Sequence, residues 1–463
     1  MLENRILITN GIVVNETNLQ SIDILIEGQR IVSTGLPGSL QELRADEIID
    51  AHGKYILPGL IDPHVHFNAP FMGSKTIHDY ENGTIAAAYG GVTTIIDFST
   101  QPKGGSLLEN LALKESEASG KAYIDWSIHG ILLDASQQTL KEIPMLIEEG
   151  IPTYKCFTTY RHADRLMDDD GLLRILEVTA ENGGMLMVHC ENDAILEYYL
   201  KKELNAGHYA PVYHARSRPH SAENEAIRRI VALMDEICAP IYIVHTSTAE
   251  SVGIIQRARE RKLPIHSETC THYLTLTEEV LNKDNGLFFI CSPPLRKQKD
   301  ITALWQAVSN GRIEVVSSDD AGLPSQDRLR LGADRFDKVP SGMPGIEPRL
   351  YILYTEGVCK GKIDLPRLVQ LTSANPARLF GLFPQKGHIN PGSDADLVIF
   401  DPHPEWTISA NNLHMNDTFC PFEGWSIKGK VESVICRGQF VIRNEILVGK
   451  PGFGQRIIRR LSQ

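Results

Sequence analysis

The chain of 463 residues lacks a membrane-length apolar run. The longest stretch without Asp, Glu, Lys or Arg is Asn82 to Ile96, 15 residues rich in Gly and Thr, whereas a spanning helix needs about 18 or more apolar residues. Positive charge is also in deficit, with 46 basic residues against 58 acidic ones and a net charge of −12. That balance argues against partners such as nucleic acid or anionic membrane, which need a positive field. The opening Met1-Leu2-Glu3-Asn4-Arg5 carries no signal-peptide pattern, so a cytoplasmic protein is expected. None of the eight cysteines form Cys-x-x-Cys, and Cys238 and Cys436 sit inside apolar runs. Buried, reduced thiols are therefore expected rather than disulfides. Also missing are a Gly-Lys-Ser/Thr phosphate loop, a Gly-x-Ser-x-Gly elbow, a His-Glu-x-x-His helix, internal repeats and low-complexity tracts.

What remains is ordinary globular composition, 42% apolar and 22% charged, in a chain long enough to bury a large core. Three regions are distinguishable. Residues 1–56 are strand-rich, with short β-branched runs such as Ile6-Leu7-Ile8 and Ile22 to Ile26 separated by Gly or Asn. Residues 57–380 alternate short apolar runs with helix-length segments. The runs are Leu60-Ile61, Thr93 to Asp97, Ala122 to Ile131, Pro152 to Cys156, Met185 to Val188, Ile241 to Val244, Pro264-Ile265 and Ile313 to Val316. Eight strands alternating with helices predict a parallel (β/α)8 barrel of the TIM type, with a doubly wound open sheet as the competing architecture. Residues 381–463 return to strands, as in Ala395 to Phe400 and Val431 to Cys436. The two ends share one character, which predicts a small β-sandwich assembled from both termini beside the barrel. Gly332 to Gly345 reads as a loop.

Polar residues gather at the C-terminal ends of the predicted barrel strands. His64 and His66 close the first, and side chains two apart on a strand point to one side. His189 ends the fifth, His245 the sixth and Asp319-Asp320 the eighth. Taken singly these are weak signals: lone histidines are mostly structural, and paired aspartates are commonly turn formers or caps. Taken together they converge on the face where barrel enzymes keep their active sites. Imidazoles plus carboxylate suit Zn²⁺ or a similar cation. Lys155 ends an apolar strand in the barrel wall. It reads most simply as a lysine snorkelling to the rim. Alternatively, an amine made neutral beside divalent cations could react with CO₂ to give a carbamate that bridges two metals. The runs Arg161 to Arg165 and Asp168 to Asp170 read as exposed loop charges, and His266 to His272 as structural or pocket-lining.

Leu57 to His66, Gly90 to Phe98, Lys155 with Tyr160, His189 to Asn192, Ser292 to Arg296 and Gly387 to Val398 form a set of motifs in a fixed order. Together they resemble those of dihydropyrimidinases and hydantoinases, the cyclic amidohydrolases of the amidohydrolase superfamily. The resemblance implies hydrolysis of a hydantoin or dihydropyrimidine ring to an N-carbamoyl amino acid by a hydroxide bridging two metal ions. By motif, His64, His66, Lys155 as N6-carboxylysine and Asp319 would hold one ion, expected to be Zn²⁺. Lys155, His189 and His245 would hold the second. Tyr160 would donate to the oxyanion, and Asp319 would shuttle the proton. Ser292 and a residue of Ser341-Gly342 would bind the ring's amide edge, largely through backbone groups. A homotetramer or homodimer is implied.

Two departures stand out. The family usually carries His after the strand-eight Asp, where this chain has Asp320, and Asn where it has Ser341. Dihydroorotases usually carry Arg two residues after His-x-His to bind a substrate carboxylate. Here Asn68 stands there, which favours a small neutral cyclic ureide or imide, although Arg161 or Arg165 could reach the mouth. Allantoinases are closer rivals but generally lack a Tyr five residues past the Lys. Non-catalytic scaffold relatives have lost metal ligands that are all retained here. Phe67, Phe71, Met72 and Phe157 read either as an apolar side pocket or as core packing.

Overall fold

The computed structural model describes residues 4–461. All eight predicted barrel strands form: Leu60–Val65, Val92–Thr100, Asp125–Ile131, Thr153–Phe157, Met185–His189, Ile241–Ile243, Ile265–Cys270 and Val315–Ser317. Each pairs in parallel with the next in sequence order. The last and first strands meet through a parallel bridge, Val65 to Asp320, where His66 N–H donates to the Asp320 carbonyl at 2.8 Å. The ring is thus completed at the residues that carry the candidate site, and the open-sheet alternative is excluded.

Strand alternation explains what faces the interior. Tyr154, Cys156, Leu186, Val188, Ile241 and Ile243 pack outward in one large core that includes helix residues such as Leu176 and Ile230. The intervening Phe157, Met185, Met187, Tyr242 and Val244 pack inward with Ile61, Ile96 and Phe98. Strands buried on both faces need apolar residues at nearly every position, which is why their sequences read as continuous runs. The inward parity carries Lys155 and His189 to the barrel axis. Phe380, Leu382 and Ile457 join the same inner cluster and close the barrel's floor, leaving the mouth open. Helices such as Leu107–Ala118, His220–Glu236 and Ala249–Glu260 lie between the strands.

The β-rich part contains two sheets. One has four strands, all from the N-terminal segment: Arg30–Gly35, Asp23–Glu27, Arg5–Thr9 and Glu47–Asp50. The other has seven and mixes the two ends of the chain. In it Tyr55–Pro58 lies antiparallel to Leu397–Phe400, with Ile56 opposite Ile399. Ile6, Ile8, Ile24 and Ile26 of the first sheet pack on Val13, Ile56, Leu397 and Ile435 of the second.

A cluster of charges fastens this part to the barrel. Lys386 is fully buried, and its ammonium lies 2.8 Å from Asp125, 3.1 Å from Asp394 and 2.6 Å from Asp396. Arg437 adds a second bond to Asp125 at 3.0 Å. Six cysteines are buried, but Cys238 and Cys359 are exposed. For Cys238 this corrects the expectation of burial: it lies just past the end of helix His220–Glu236, where the chain crosses the surface. Asp168 is not simply a loop charge either, because its carboxylate caps helix Asp169–Glu181 by accepting from Gly171 N–H. No helix among the described residues is long and apolar enough to cross a membrane.

Candidate active site

At the barrel mouth the strand ends deliver their polar residues to one point. The ligand atoms of His64, His66 and Asp319 all lie within 4.8 Å of one another. Asp319 Oδ1 is 3.1 Å from His64 Nε2 and 3.4 Å from His66 Nε2. Lys155 Nζ is 2.9 Å from His64 Nε2 and sits over the Phe98 ring at 4.3 Å. His189 and His245 complete the group, with ring centroids 4.5 Å apart and His245 5.6 Å from His64. His66, Lys155, His189, His245 and Asp319 line one cleft, and His64 lies buried beneath it. Tyr160, Ser292, Ser341 and Gly342 line the same cleft.

The protonation states suit a cation. Burial lowers His66 to about 4, outweighing its bond to Asp319. It lowers His189 too and pushes His245 well below the usual histidine range. Burial would raise Asp319, but His64, His66 and His245 hold its carboxyl well below the ordinary value. Burial lowers Lys155 to about 8, against the pull of Asp319 and Glu268. The site therefore offers neutral imidazoles at His66, His189 and His245, a carboxylate and an amine that is easily neutral.

One further observation tests whether the residues fit a metal. His245 Nδ1 is buried without a hydrogen-bond partner, a state that natural proteins avoid unless an ion or ligand completes it. Neighbouring carboxylates orient the other rings. Glu268 accepts from His64 Nδ1, which leaves Nε2 facing the centre. Glu191 bonds His189 Nε2 at 2.8 Å, which leaves Nδ1 free. Such carboxylate–histidine pairs fix the tautomer of metal-binding imidazoles. Burial would raise Glu191, but Arg218 and His189 bring it to about 2, so it stays ionised. Three members of the group adopt left-handed backbone: Tyr160 at φ 65°, His245 at φ 41° and Asp319 at φ 48°. Positive φ is uncommon outside glycine, and such strain gathers at functional sites.

A profile of the amidohydrolase family matches residues 55–441. The chain belongs to this family. It is 44% identical to a D-hydantoinase of Geobacillus stearothermophilus over 98% of this chain and 96% of that one. It is 40% identical to a D-phenylhydantoinase of Escherichia coli, with 98% of each chain covered. Among solved structures, a dihydropyrimidinase from Brevibacillus agri superposes with a TM-score of 0.96 at 42% identity, covering 99% of this chain and 100% of that one.

Within this amidohydrolase site the departure at Asp320 has a structural answer. The Asp320 carboxylate is buried; Oδ1 accepts from Gly345 N–H at 2.7 Å and Ile346 N–H at 3.1 Å, and Oδ2 lies 2.5 Å from His78 Nδ1. His78 Nε2 donates to the Met415 carbonyl at 2.8 Å. The imidazole is thus supplied from another segment, and the pair ties the 341–346 loop to the end of the eighth strand. Of the proposed side-pocket residues, Phe71 and Phe157 line the cleft and Met72 lines its outer chamber. Phe67 is fully buried between Tyr80 and His78, which makes it core. His266 pairs with Glu314 away from the mouth. Cys270 and His272 come within ligand distance of Asp319 without lining the cleft.

The reading of Arg161 to Arg165 as loop charges holds for Arg161, which is exposed and pairs with Asp193 at 3.0 Å. It fails for Arg165, which turns into the cleft wall. Sequence reasoning assigned no role to Glu191, Glu268, Arg218 or His78. Glu191 alone had a local signal, its place two residues past His189.

Proposed function

We propose that this protein hydrolyses the cyclic amide bond of a hydantoin or dihydropyrimidine ring, giving an N-carbamoyl amino acid. The observation that supports this best is the cleft itself: a five-residue wall of metal-ligand types shares one cleft with Tyr160, Ser292, Ser341 and Gly342. His64, His66, Lys155 and Asp319 would hold one divalent cation, and Lys155, His189 and His245 the other, with Zn²⁺ the best match to the donors. Lys155 would do so as the carbamate formed with CO₂, which turns a cation into a shared anion. Bound there, the ions would supply an activated water and polarise the ring carbonyl.

The chain's own residues do the rest. Asp319, held ionised at the cleft, takes the proton released as water adds and delivers it to the leaving ring nitrogen. Tyr160 remains a protonated donor, because burial raises its hydroxyl further above neutrality, and it meets the oxyanion. Ser292, whose hydroxyl is buried without a partner, and the backbone of Ser341-Gly342 take the amide edge. The protein is expected to work in the cytoplasm, from its leading residues and scattered cysteines, and as a homotetramer or homodimer, from the family resemblance.

The test is a ring-opening assay of hydantoin, dihydrouracil, 5-phenylhydantoin, allantoin and dihydroorotate at matched metal loading, with metal analysis of the same protein. Opening of the first three with near two ions per chain is expected. Preference for allantoin would move the assignment to another cyclic ureide, and an inactive, metal-free chain would make it a scaffold.

A further inference from the structure

The cleft wall contains one arginine with no protein partner. Arg161 and Arg218, its neighbours, are paired with Asp193 and Glu191. Asp164, beside it in sequence, pairs with Lys103 at the surface. Arg165 has no carboxylate within ion-pair distance, and no side-chain hydrogen bond is formed by its guanidinium among the described residues. Its backbone N–H is fixed by the Tyr160 carbonyl at 3.1 Å. Its guanidinium lies 5.4 Å from the Phe71 ring centroid and 5.6 Å from that of Phe157. It borders both the inner cleft and the chamber outside it.

This is an unusual place for an unpaired charge. Burial lowers the Arg165 pKa, opposed only by Tyr160, so the protein leaves the cation incompletely compensated. An arginine sandwiched against aromatic rings keeps a planar fork of N–H donors matched to a carboxylate. Phe71 and Phe157 flank it with apolar surface suited to a short methylene stem. The ring would lie deeper, between the histidine cluster and Ser292.

We propose that Arg165 is a specificity residue that binds a carboxylate carried at the end of a short substituent on the ring. The preferred substrate is then a neutral cyclic ureide with an acidic side arm, and its product an N-carbamoyl acidic amino acid. The inference rests on the ring-opening reading above and adds the chemical class of the substituent.

The experiment compares 5-(2-carboxyethyl)hydantoin with its isosteric amide, 5-(2-carbamoylethyl)hydantoin, in the wild type, Arg165→Leu and Arg165→Lys. 5-Phenylhydantoin serves as an aromatic control. The wild type is expected to favour the acid by roughly 10–100-fold in kcat/KM, the range of a hydrogen bond to a charged group, chiefly through KM. The ratio should approach one in Arg165→Leu and remain partly in Arg165→Lys. Because each ratio is taken within one enzyme, a general packing defect cancels. A wild-type ratio near one, or a ratio that survives Arg165→Leu, overturns the inference, as does selective loss of the phenyl substrate in that variant. Equilibrium binding of N-carbamoylglutamate against N-carbamoylglutamine decides the same point without turnover. If unsubstituted hydantoin is never opened while the binding preference holds, ring opening fails and the carboxylate site stands.

Discussion

Two lysines are fully buried among the described residues, and their surroundings drive them in opposite directions. Lys386, at the junction of barrel and β-rich part, is ringed by Asp125, Asp394 and Asp396. Burial would lower its pKa, but the carboxylates raise it well above the usual lysine value. Lys155, at the mouth, faces imidazoles and a more distant Asp319, and burial lowers it to about 8. Both positions are equally dry, so burial alone does not make a lysine reactive. What differs is whether the protein supplies the counter-charge. At the junction it does, and the cluster is a fastener. At the mouth it supplies imidazoles and a carboxylate, Asp319, outside ion-pair reach of the amine, and leaves the remaining charge balance to ions and to chemistry on the amine.

The strongest way to break that contrast is Lys155→Ala. It should abolish ring opening and lower metal content from about two ions per chain, with partial recovery in propionate. Full metal and activity in that variant, read by metal analysis and assay, would remove the carbamate. Next is Lys386→Met, which removes the cation shared by three buried carboxylates and leaves Asp396 with none, while Asp125 keeps Arg437 and Asp394 keeps Arg30. A loss of about 3–5 kcal/mol in urea unfolding is expected, while the folded fraction still binds metal. A variant as stable as the wild type would show that the junction cluster is no fastener.

Tyr160→Phe sharpens the mouth side of the contrast. Turnover should fall roughly 10²–10³-fold, or about 2.7–4 kcal/mol of barrier, with metal content unchanged. Unchanged turnover would take the hydroxyl out of the reaction. His78→Ala deprives Asp320 of its partner and should cost about 1–3 kcal/mol of stability. It should also raise KM as the 341–346 loop loosens, and an unaltered KM would confine the pair to a packing role. The smallest effect is one of pH. Because the folded-state pKa of Lys386 is raised, its contribution is complete below the ordinary lysine value of 10.5 and is lost only as pH rises through the folded value. The stability gap between wild type and Lys386→Met should therefore be flat from about pH 7 to 9.

The barrel and the gathering of its histidines were legible because each depends on a local pattern. An apolar run followed by His or Asp marks a strand end, and the topology then brings those ends together. Glu268 and Asp320 were not legible as partners, because His64 meets Glu268 across 204 residues of sequence and His78 meets Asp320 across 242. No periodicity encodes such pairings. Arg165 sits in a charged run that looks solvated, but the chain adopts left-handed backbone at Tyr160 and Asp164, and Arg165 lines the cleft. Cys238 misled because apolar neighbours on both sides belong to a helix end and a strand start, leaving the connecting residue outside.

The pairing of Tyr55–Pro58 with Leu397–Phe400 has a consequence for how the molecule comes into being. The two strands are separated by about 340 residues of chain, so a ribosome exposes the first long before the second exists. Loop-closure entropy alone makes so distant an encounter slow. A folded barrel between them shortens the search by bringing its two ends to one side. The seven-stranded sheet therefore cannot be completed until the barrel sequence between these strands has been made, and its early strands stay open to misassembly during synthesis, the interval in which a chaperone has most to protect.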